Sequence, residues 1–258
     1  MRIAVCLSGQ LRGWKIGWNN QKWFWSTANR DDVQVDYFAH TWSYSTDRVG
    51  VTKPYSKRDV TVEEFREFAS LFGTQKALLD PTPNKKFYNS DHWSGLFYSL
   101  IKSLMLKREY EIKNNFTYDV VVKSRADVVF NPETFFNFPN KLPDGILHTT
   151  HGGTMEMEFN MQNFNDCVFL GNSYTMDLLI NLMHYRQYKM RKPEENVHTL
   201  GPGVLMHEFF RDYGITPIFN DLGWSEVLLK LGCPEDLNLF EEKDFMKMEK
   251  YFREWYTK

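Results

Sequence analysis

The sequence predicts an α/β domain whose central sheet is mostly parallel and flanked by helices. Residues 120–122 are a continuous run of valine, which is typical of a strand that is buried on both faces. Residues 3–7 and 33–38 form two further apolar strand-like segments. Each of the three runs ends in polar side chains, and open α/β sheets bind ligands at the carboxyl ends of their strands.

The composition narrows the class of protein. The 258 residues are enough for one large α/β domain, which we favour over two small ones. Lys and Arg number 31 against 33 Asp and Glu, so the overall charge gives no reason to expect a nucleic-acid partner. Three scattered cysteines do not form a disulfide framework or a zinc motif. We expect no transmembrane segment and a cytoplasmic location.

The first strand is followed by a glycine-containing loop. Its residues Ser8, Gly9, Gln10 and Arg12 include a flexible backbone position and a guanidinium, which suits a nucleotide phosphate. An ordinary turn with a solvated Arg12 is the alternative. A short helix is expected over residues 14–27.

The second strand leads to His40 and Thr41, which we place near the same pocket. Residues 44–60 are polar and predict a loop. A capping box begins a helix at Thr61 that continues to about residue 72. A long helix is predicted over 91–113; its Lys102 either reaches the ligand or lies along the surface with a solvated head.

The valine run ends in the most informative segment of the chain. Arg125 and Asp127 follow it, two residues apart, at the expected ligand-binding edge. They are candidate site residues. A purely structural ion pair between the two is the alternative.

The remainder of the chain is less regular. A strand is predicted over 165–171, opening at Asp166, and a helix over 173–190. His207 lies on a later helix, where it either joins a metal or phosphate site or is an ordinary surface or core histidine. The last residues, 241–258, predict a packing helix.

The order of these segments resembles small GT-A-type glycosyltransferases of bacterial and viral polysaccharide gene sets. The resemblance extends over about residues 1–215 and implies one Rossmann-like domain, with a nucleotide-binding half over 1–130 and an acceptor-side half over 131–258. It further implies a nucleoside-diphosphate-sugar donor and a glycan or polysaccharide acceptor. Its motifs are Ser-Gly-Gln-Leu-Arg at 8–12, His-Thr-Trp at 40–42, Tyr-Ser-Leu-Ile-Lys at 98–102, Ser-Arg-Ala-Asp at 124–127 and Asp-Cys-Val-Phe-Leu-Gly-Asn at 166–172.

The resemblance also assigns roles. Such enzymes usually carry Asp-x-Asp where this chain has Arg125-Ala-Asp127, and the carboxylates bind Mn²⁺ or Mg²⁺ against the donor diphosphate. Here either Asp127 holds the metal, with help from His207, or Arg125 partly replaces it. Asp166 is the candidate general base of an inverting transfer, or else a turn cap. Lesser candidates for the acid or the metal are Glu156, Glu158, His198 and Glu208.

Two other function classes remain open from the sequence. The missing first Asp motivates a catalytically inactive module that binds nucleotide or glycan. A nucleotidyltransferase is a third interpretation. The chain lacks a P-loop and a Gly-x-Gly-x-x-Gly fingerprint, which disfavours P-loop ATPases and ordinary dehydrogenases. Donor sugar, acceptor, linkage and oligomeric state are not readable from these patterns.

Overall fold

The protein was analysed as a computed structural model that describes residues 1–27, 33–47, 56–81, 92–130, 142–151, 164–190, 202–219 and 226–228. Within these ranges no helix has the length and apolar character needed to cross a membrane.

The strands are β1 (Arg2–Ser8), β2 (Gln34–Trp42), β3 (Tyr44–Asp47), β4 (Ser56–Asp59), β5 (Thr74–Asp80), β6 (Val120–Ser124), β7 (Val128–Phe130), β8 (Ile146–His151), β9 (Phe164–Gly171), β10 (Thr216–Phe219) and β11 (Glu226–Leu228). The helices are α1 (Trp14–Thr27), α2 (Val62–Phe72), α3 (His92–Asn114), α4 (Ser173–Leu178), α5 (Leu182–Met190) and α6 (Pro202–Asp212), with a 3₁₀ turn at Leu179–Asn181.

Seven strands form the central sheet in the order β10-β8-β9-β6-β1-β2-β5. Every neighbouring pair is parallel except those of β9, which runs antiparallel to both β6 and β8. Two small antiparallel pairs, β3 with β4 and β7 with β11, lie outside it. The predicted α/β class with a mostly parallel sheet is therefore confirmed.

The strand order reverses beside β1. The chain passes from β1 to β2 and β5 on one side, and α3 then returns it to β6 on the other side. In open α/β sheets such a reversal leaves a crevice outside the carboxyl ends of the two strands, and ligands bind there. We call the carboxyl ends of β1 and β6 the switch point.

Helices cover both faces of the sheet, as the alternation of side chains along β1 requires. Ile3, Val5 and Leu7 join a buried cluster with residues of α1 and α2. Ala4 and Cys6 join the opposite cluster, which contains residues of α3 and α6. Each fully buried large aliphatic side chain contributes roughly 1.5–3 kcal/mol. The result is a three-layer α/β structure.

Helix α1 is fixed against the turn between β6 and β7. The amide of Asn20 donates to the carbonyl oxygen of Phe130 and accepts from its N–H, both at 2.8 Å. The side-chain amide of Gln21 donates to the carbonyl oxygens of Arg125 at 2.6 Å and Val128 at 2.9 Å. Since Asn20 and Gln21 are fully buried, these bonds are sheltered from water.

Several predicted boundaries differ from the structure. The predicted strand over the valine run ends at Ser124 as β6, and after a turn over 125–127 the chain forms a further short strand, β7, which was not predicted. Residues 44–60, predicted as a loop, contain the β3–β4 hairpin. The predicted helix over 173–190 is divided by the 3₁₀ turn. The predicted helix start at Thr61 is confirmed, since the Thr61 side chain accepts from the Glu64 N–H. The Glu64 carboxylate accepts from Arg58 and Trp14, so the second bond of a capping box is replaced by these contacts. The terminal segment 241–258 lies outside the described residues.

Glycine is required at position 17 because α1 closely approaches the turn between β6 and β7 there. A Cβ at Gly17 would overlap the carbonyl oxygen of Ala126. We expect Gly17→Ala to lower the free energy of unfolding by about 1–3 kcal/mol, as overpacking does. Urea denaturation measures this change in the free energy of unfolding.

The matched control is Gly95→Ala on α3, where no described atom outside the helix's own backbone lies within 4 Å of the added Cβ. It should leave the stability unchanged or raise it by up to about 1 kcal/mol, because Ala is the better helix former. Equal effects of the two changes would contradict the close contact at Gly17.

Candidate functional site

The loop after β1 is held at one side of the switch point. Ser8 is buried at the end of the strand, and Gly9 has φ of +119°, a conformation that disfavours other residues. The Gly9 N–H donates to the Ser99 hydroxyl at 2.7 Å and more weakly to the His40 carbonyl at 3.3 Å. Gln10 and Arg12 lie half-buried in the same loop.

A network from the β3–β4 hairpin and α2 supports this loop. Arg58 makes two hydrogen bonds to the Glu64 carboxylate at 2.7 and 2.9 Å and a third to the carbonyl oxygen of Leu11 at 3.0 Å. Trp14 also donates to Glu64 at 3.0 Å. Burial alone would raise the pKa of Glu64, but the bonds from Arg58 and Trp14 outweigh it and lower that pKa. The charged carboxylate thereby positions the loop backbone.

On the other side of the switch point lies the turn after β6. Arg125 donates through Nε and Nη2 to the two oxygens of Asp127, at 2.8 and 2.6 Å. Asp127 is 1% exposed, whereas Arg125 retains 18% exposure. The ion pair that the sequence left as an alternative is thus present, in the bidentate form that guanidinium and carboxylate prefer.

Strand β9 is antiparallel to β6, so the start of β9 lies beside the turn that follows β6. Cys167 accepts a hydrogen bond from the Lys123 ammonium at its carbonyl, 2.9 Å away, and its sulfur lies 3.8 Å from Nη1 of Arg125. Asp166 is the preceding residue of the strand. Its backbone therefore lies at the same sheet edge as Arg125 and Asp127.

A second polar cluster occupies the carboxyl ends of β2 and β5. The His40 ring contacts the Ser99 hydroxyl through Nδ1 at 2.9 Å and Asp80 through Nε2 at 3.1 Å. Tyr98 donates to the same Asp80 oxygen at 2.8 Å and stacks on Trp42 with ring centroids 5.3 Å apart. Sequence analysis missed Asp80, since β5 was not predicted.

Burial and neighbouring charges shift the pKa values of His40 and Asp80 in this cluster. Burial lowers the pKa of His40, and nearby Lys102 lowers it further, against the opposing effect of Asp80. Burial would raise the pKa of Asp80, yet hydrogen bonds from Tyr98 and His40 and the charge of Lys102 bring it below the ordinary value. A neutral His40 must then donate from Nε2 to the Asp80 carboxylate, because a carboxylate only accepts.

Thr41 and Lys102 lie next to this cluster. Thr41 is buried, and among the described residues its hydroxyl oxygen has no hydrogen-bond partner. The Lys102 ammonium lies 5.2 Å from the Tyr98 ring centroid. Lys102 thus lies near the ends of β2 and β5, one helical turn beyond Tyr98.

The late candidate residues are not gathered with these groups in the described part of the chain. His207 is exposed on α6, and Glu208 of the same helix pairs with Lys189 at 3.2 Å. His198, Glu156 and Glu158 lie outside the described ranges. Within those ranges, no three His, Cys, Asp or Glu side chains form a group suited to a metal ion.

Comparison with known proteins gives distant matches in structure alone. No protein-family model matches the chain, and no curated protein matches it in sequence. A glycosyltransferase involved in glycosylation of the major capsid of PBCV-1 is similar at 12% identity and a TM-score of 0.42, over 96% of this chain and 100% of that one.

Two further solved structures are similar at the same 12% identity. Glycosyltransferase GlyE of Streptococcus pneumoniae TIGR4 has a TM-score of 0.36 over 84% of this chain and 44% of its own. The galactosyltransferase LgtC, solved with donor and acceptor sugar analogues, has a TM-score of 0.38 over 97% of this chain and 96% of its own.

The buried His40 predicts a pH-dependent stability. Below the ordinary histidine value of 6.5 the unfolded chain takes up a proton at this site, whereas the folded chain, with a lowered pKa, does not. Stability is then fully present above pH 6.5 and falls as the pH drops below it. Urea denaturation between pH 7.5 and 5 should show a smaller loss for His40→Gln than for the unmodified protein. His184→Gln, at an exposed position, is the control and should keep the original slope.

Proposed function

We propose that this protein is a glycosyltransferase that moves a sugar from a nucleoside-diphosphate sugar to a glycan acceptor with inversion. The observation that carries the proposal is the switch point itself. The Gly9 loop, which contains Arg12, and the turn of Arg125 and Asp127 follow the carboxyl ends of two adjacent parallel strands. We expect a diphosphate to bind at this edge, because a guanidinium can donate paired hydrogen bonds to phosphate oxygens.

The cluster at the ends of β2 and β5 supports a nucleoside on the same edge. Neighbouring strands are about 4.8 Å apart, so β5 lies about 10 Å from β1, in the range that separates a diphosphate from its base. Asp80 offers an acceptor, and the half-buried Tyr98, stacked on the buried Trp42, offers flat aromatic surface. His40 and Thr41 are on β2, which lies between β1 and β5 in the sheet.

Transfer requires one group to remove the acceptor proton. Asp166 is the third residue of β9, the strand that borders the turn of Arg125 and Asp127, so its carboxylate is our candidate general base. As the acceptor oxygen attacks the anomeric carbon, its proton passes to Asp166. The bond between that carbon and the distal phosphate oxygen breaks, and the nucleoside diphosphate leaves with the electron pair.

A second candidate is a catalytically inactive module that binds a nucleotide or glycan. The Arg125–Asp127 pair favours it, because Arg125 stands where the enzymes this sequence resembles carry a carboxylate. Calorimetric titration with nucleoside diphosphates, followed by a sugar-nucleotide hydrolysis screen, separates the two. Binding without turnover supports the module, and activity on nucleoside triphosphates alone would support a nucleotidyltransferase.

Arg12 tests the diphosphate side of the proposal. We expect Arg12→Ala to weaken nucleoside-diphosphate binding about 10- to 100-fold, the range for lost hydrogen bonds to a charged group. Titration calorimetry measures the dissociation constant. Lys15→Ala changes an exposed cation three residues away, paired with Glu67 at 3.4 Å, and should leave binding unchanged. Equal binding by the Arg12 variant would remove this residue from the site.

Asp166 tests the chemistry. Asp166→Asn should preserve donor binding while transfer falls by roughly two to four powers of ten, as for loss of a general base. Single-turnover transfer and titration of the donor measure the two quantities separately. Full activity of this variant would exclude Asp166 as the base.

A further inference from the structure

The Arg125–Asp127 pair leaves little room for a metal ion at the position where the sequence resemblance implies one. Both carboxylate oxygens of Asp127 already accept hydrogen bonds from Arg125, and the side chain is 1% exposed. Mg²⁺ and Mn²⁺ need oxygen ligands at close range, and Mg²⁺ usually keeps several waters. A dication here would also lie against a fixed guanidinium. The residues of this turn therefore do not fit the ion.

The same geometry makes Arg125 a rigidly held donor. Asp127 fixes the guanidinium from one side, and Gln21 fixes the backbone by its bond to the Arg125 carbonyl oxygen. The Ser124 hydroxyl in turn donates to the Gln21 side-chain oxygen at 3.3 Å. Donors that are already in place stabilise developing charge without the cost of reorganising at the moment of reaction.

The side chains of the turn that the structure describes carry a net positive charge. Lys123 is 1% exposed and reaches the carbonyl of Cys167, the same residue whose sulfur lies near Arg125. Lys123 and Arg125 thus carry two positive charges against the one negative charge of Asp127. Arg12, in the loop across the switch point, adds another cation. An anionic diphosphate is the ligand class that this balance favours.

We propose that Arg125, positioned by Asp127, binds the donor diphosphate in place of a divalent cation, and that the protein works without metal. The inference rests on the proposed function and specifies how its leaving group is stabilised. When the bond from the anomeric carbon to the phosphate oxygen breaks, the electron pair stays on that oxygen, and the guanidinium of Arg125 donates hydrogen bonds to it and stabilises its negative charge. Asp127 is then a positioning residue and not a metal ligand.

Chelation separates this inference from the proposed function. Nucleoside-diphosphate affinity and sugar-nucleotide hydrolysis are measured on the full chain in EDTA and again with Mn²⁺ or Mg²⁺. We expect values that agree within about twofold, since binding rests on fixed protein charges. Binding or hydrolysis that appears only with metal would overturn the inference and leave the glycosyltransferase proposal standing. No binding under either condition would overturn both.

A variant tests the residue itself. Arg125→Lys keeps the charge but removes the planar fork, so we expect nucleoside-diphosphate affinity in EDTA to fall roughly tenfold, with no recovery on adding Mn²⁺. Arg108→Lys is the matched control, because Arg108 is 54% exposed on α3 and 3.8 Å from Asp177. Unchanged affinity of the Arg125 variant, or restoration by Mn²⁺, would overturn the assignment. The chelation experiment stands even if this variant folds poorly.

Discussion

The architecture of the site depends on the parallel pairing of β1 with both of its neighbours. Ile3 is in register with Val35 on one side and with Val120 on the other, so the three strands end at one edge. This constraint places the Gly9 loop, His40 and the Arg125 turn side by side, although they lie far apart in the chain. The other contacts at the candidate site adjust the positions of side chains on strand ends that the sheet has already placed.

The two sides of the switch point are made rigid by different means. The loop after β1 has few apolar side chains of its own, and two hydrogen bonds of its backbone hold it: the Gly9 N–H donates to Ser99, and Arg58 donates to the Leu11 carbonyl. The turn after β6 is held by the amide of Gln21 and by the internal pair of Arg125 and Asp127. A buried ion pair adds little net stability when the cost of removing its charges from water is included. Its contribution is better understood as fixing the direction of one guanidinium.

The central strands could be predicted from sequence because their apolar runs are unambiguous, as in 3–7 and 120–122. The edge strands could not. Strand β5 is only partly buried, with few apolar residues and no clear alternation, and the β3–β4 hairpin is almost entirely polar. Asp80 was missed for the same reason, since its contact with His40 exists only through the pairing of β2 with β5. Whether Arg125 would pair with Asp127 or face a ligand was a question of side-chain geometry, which pattern alone does not decide.

The antiparallel strand β9 has a consequence for how the chain can be divided. Strand β9 pairs with the side of β6 that does not contact β1. A strand from the second half of the sequence therefore completes the pairing of a strand from the first half. A fragment that stopped after β7 would present the all-valine segment of β6 as an open edge, able to pair with other molecules. The two halves of the sequence are thus not two units that can be expected to fold apart.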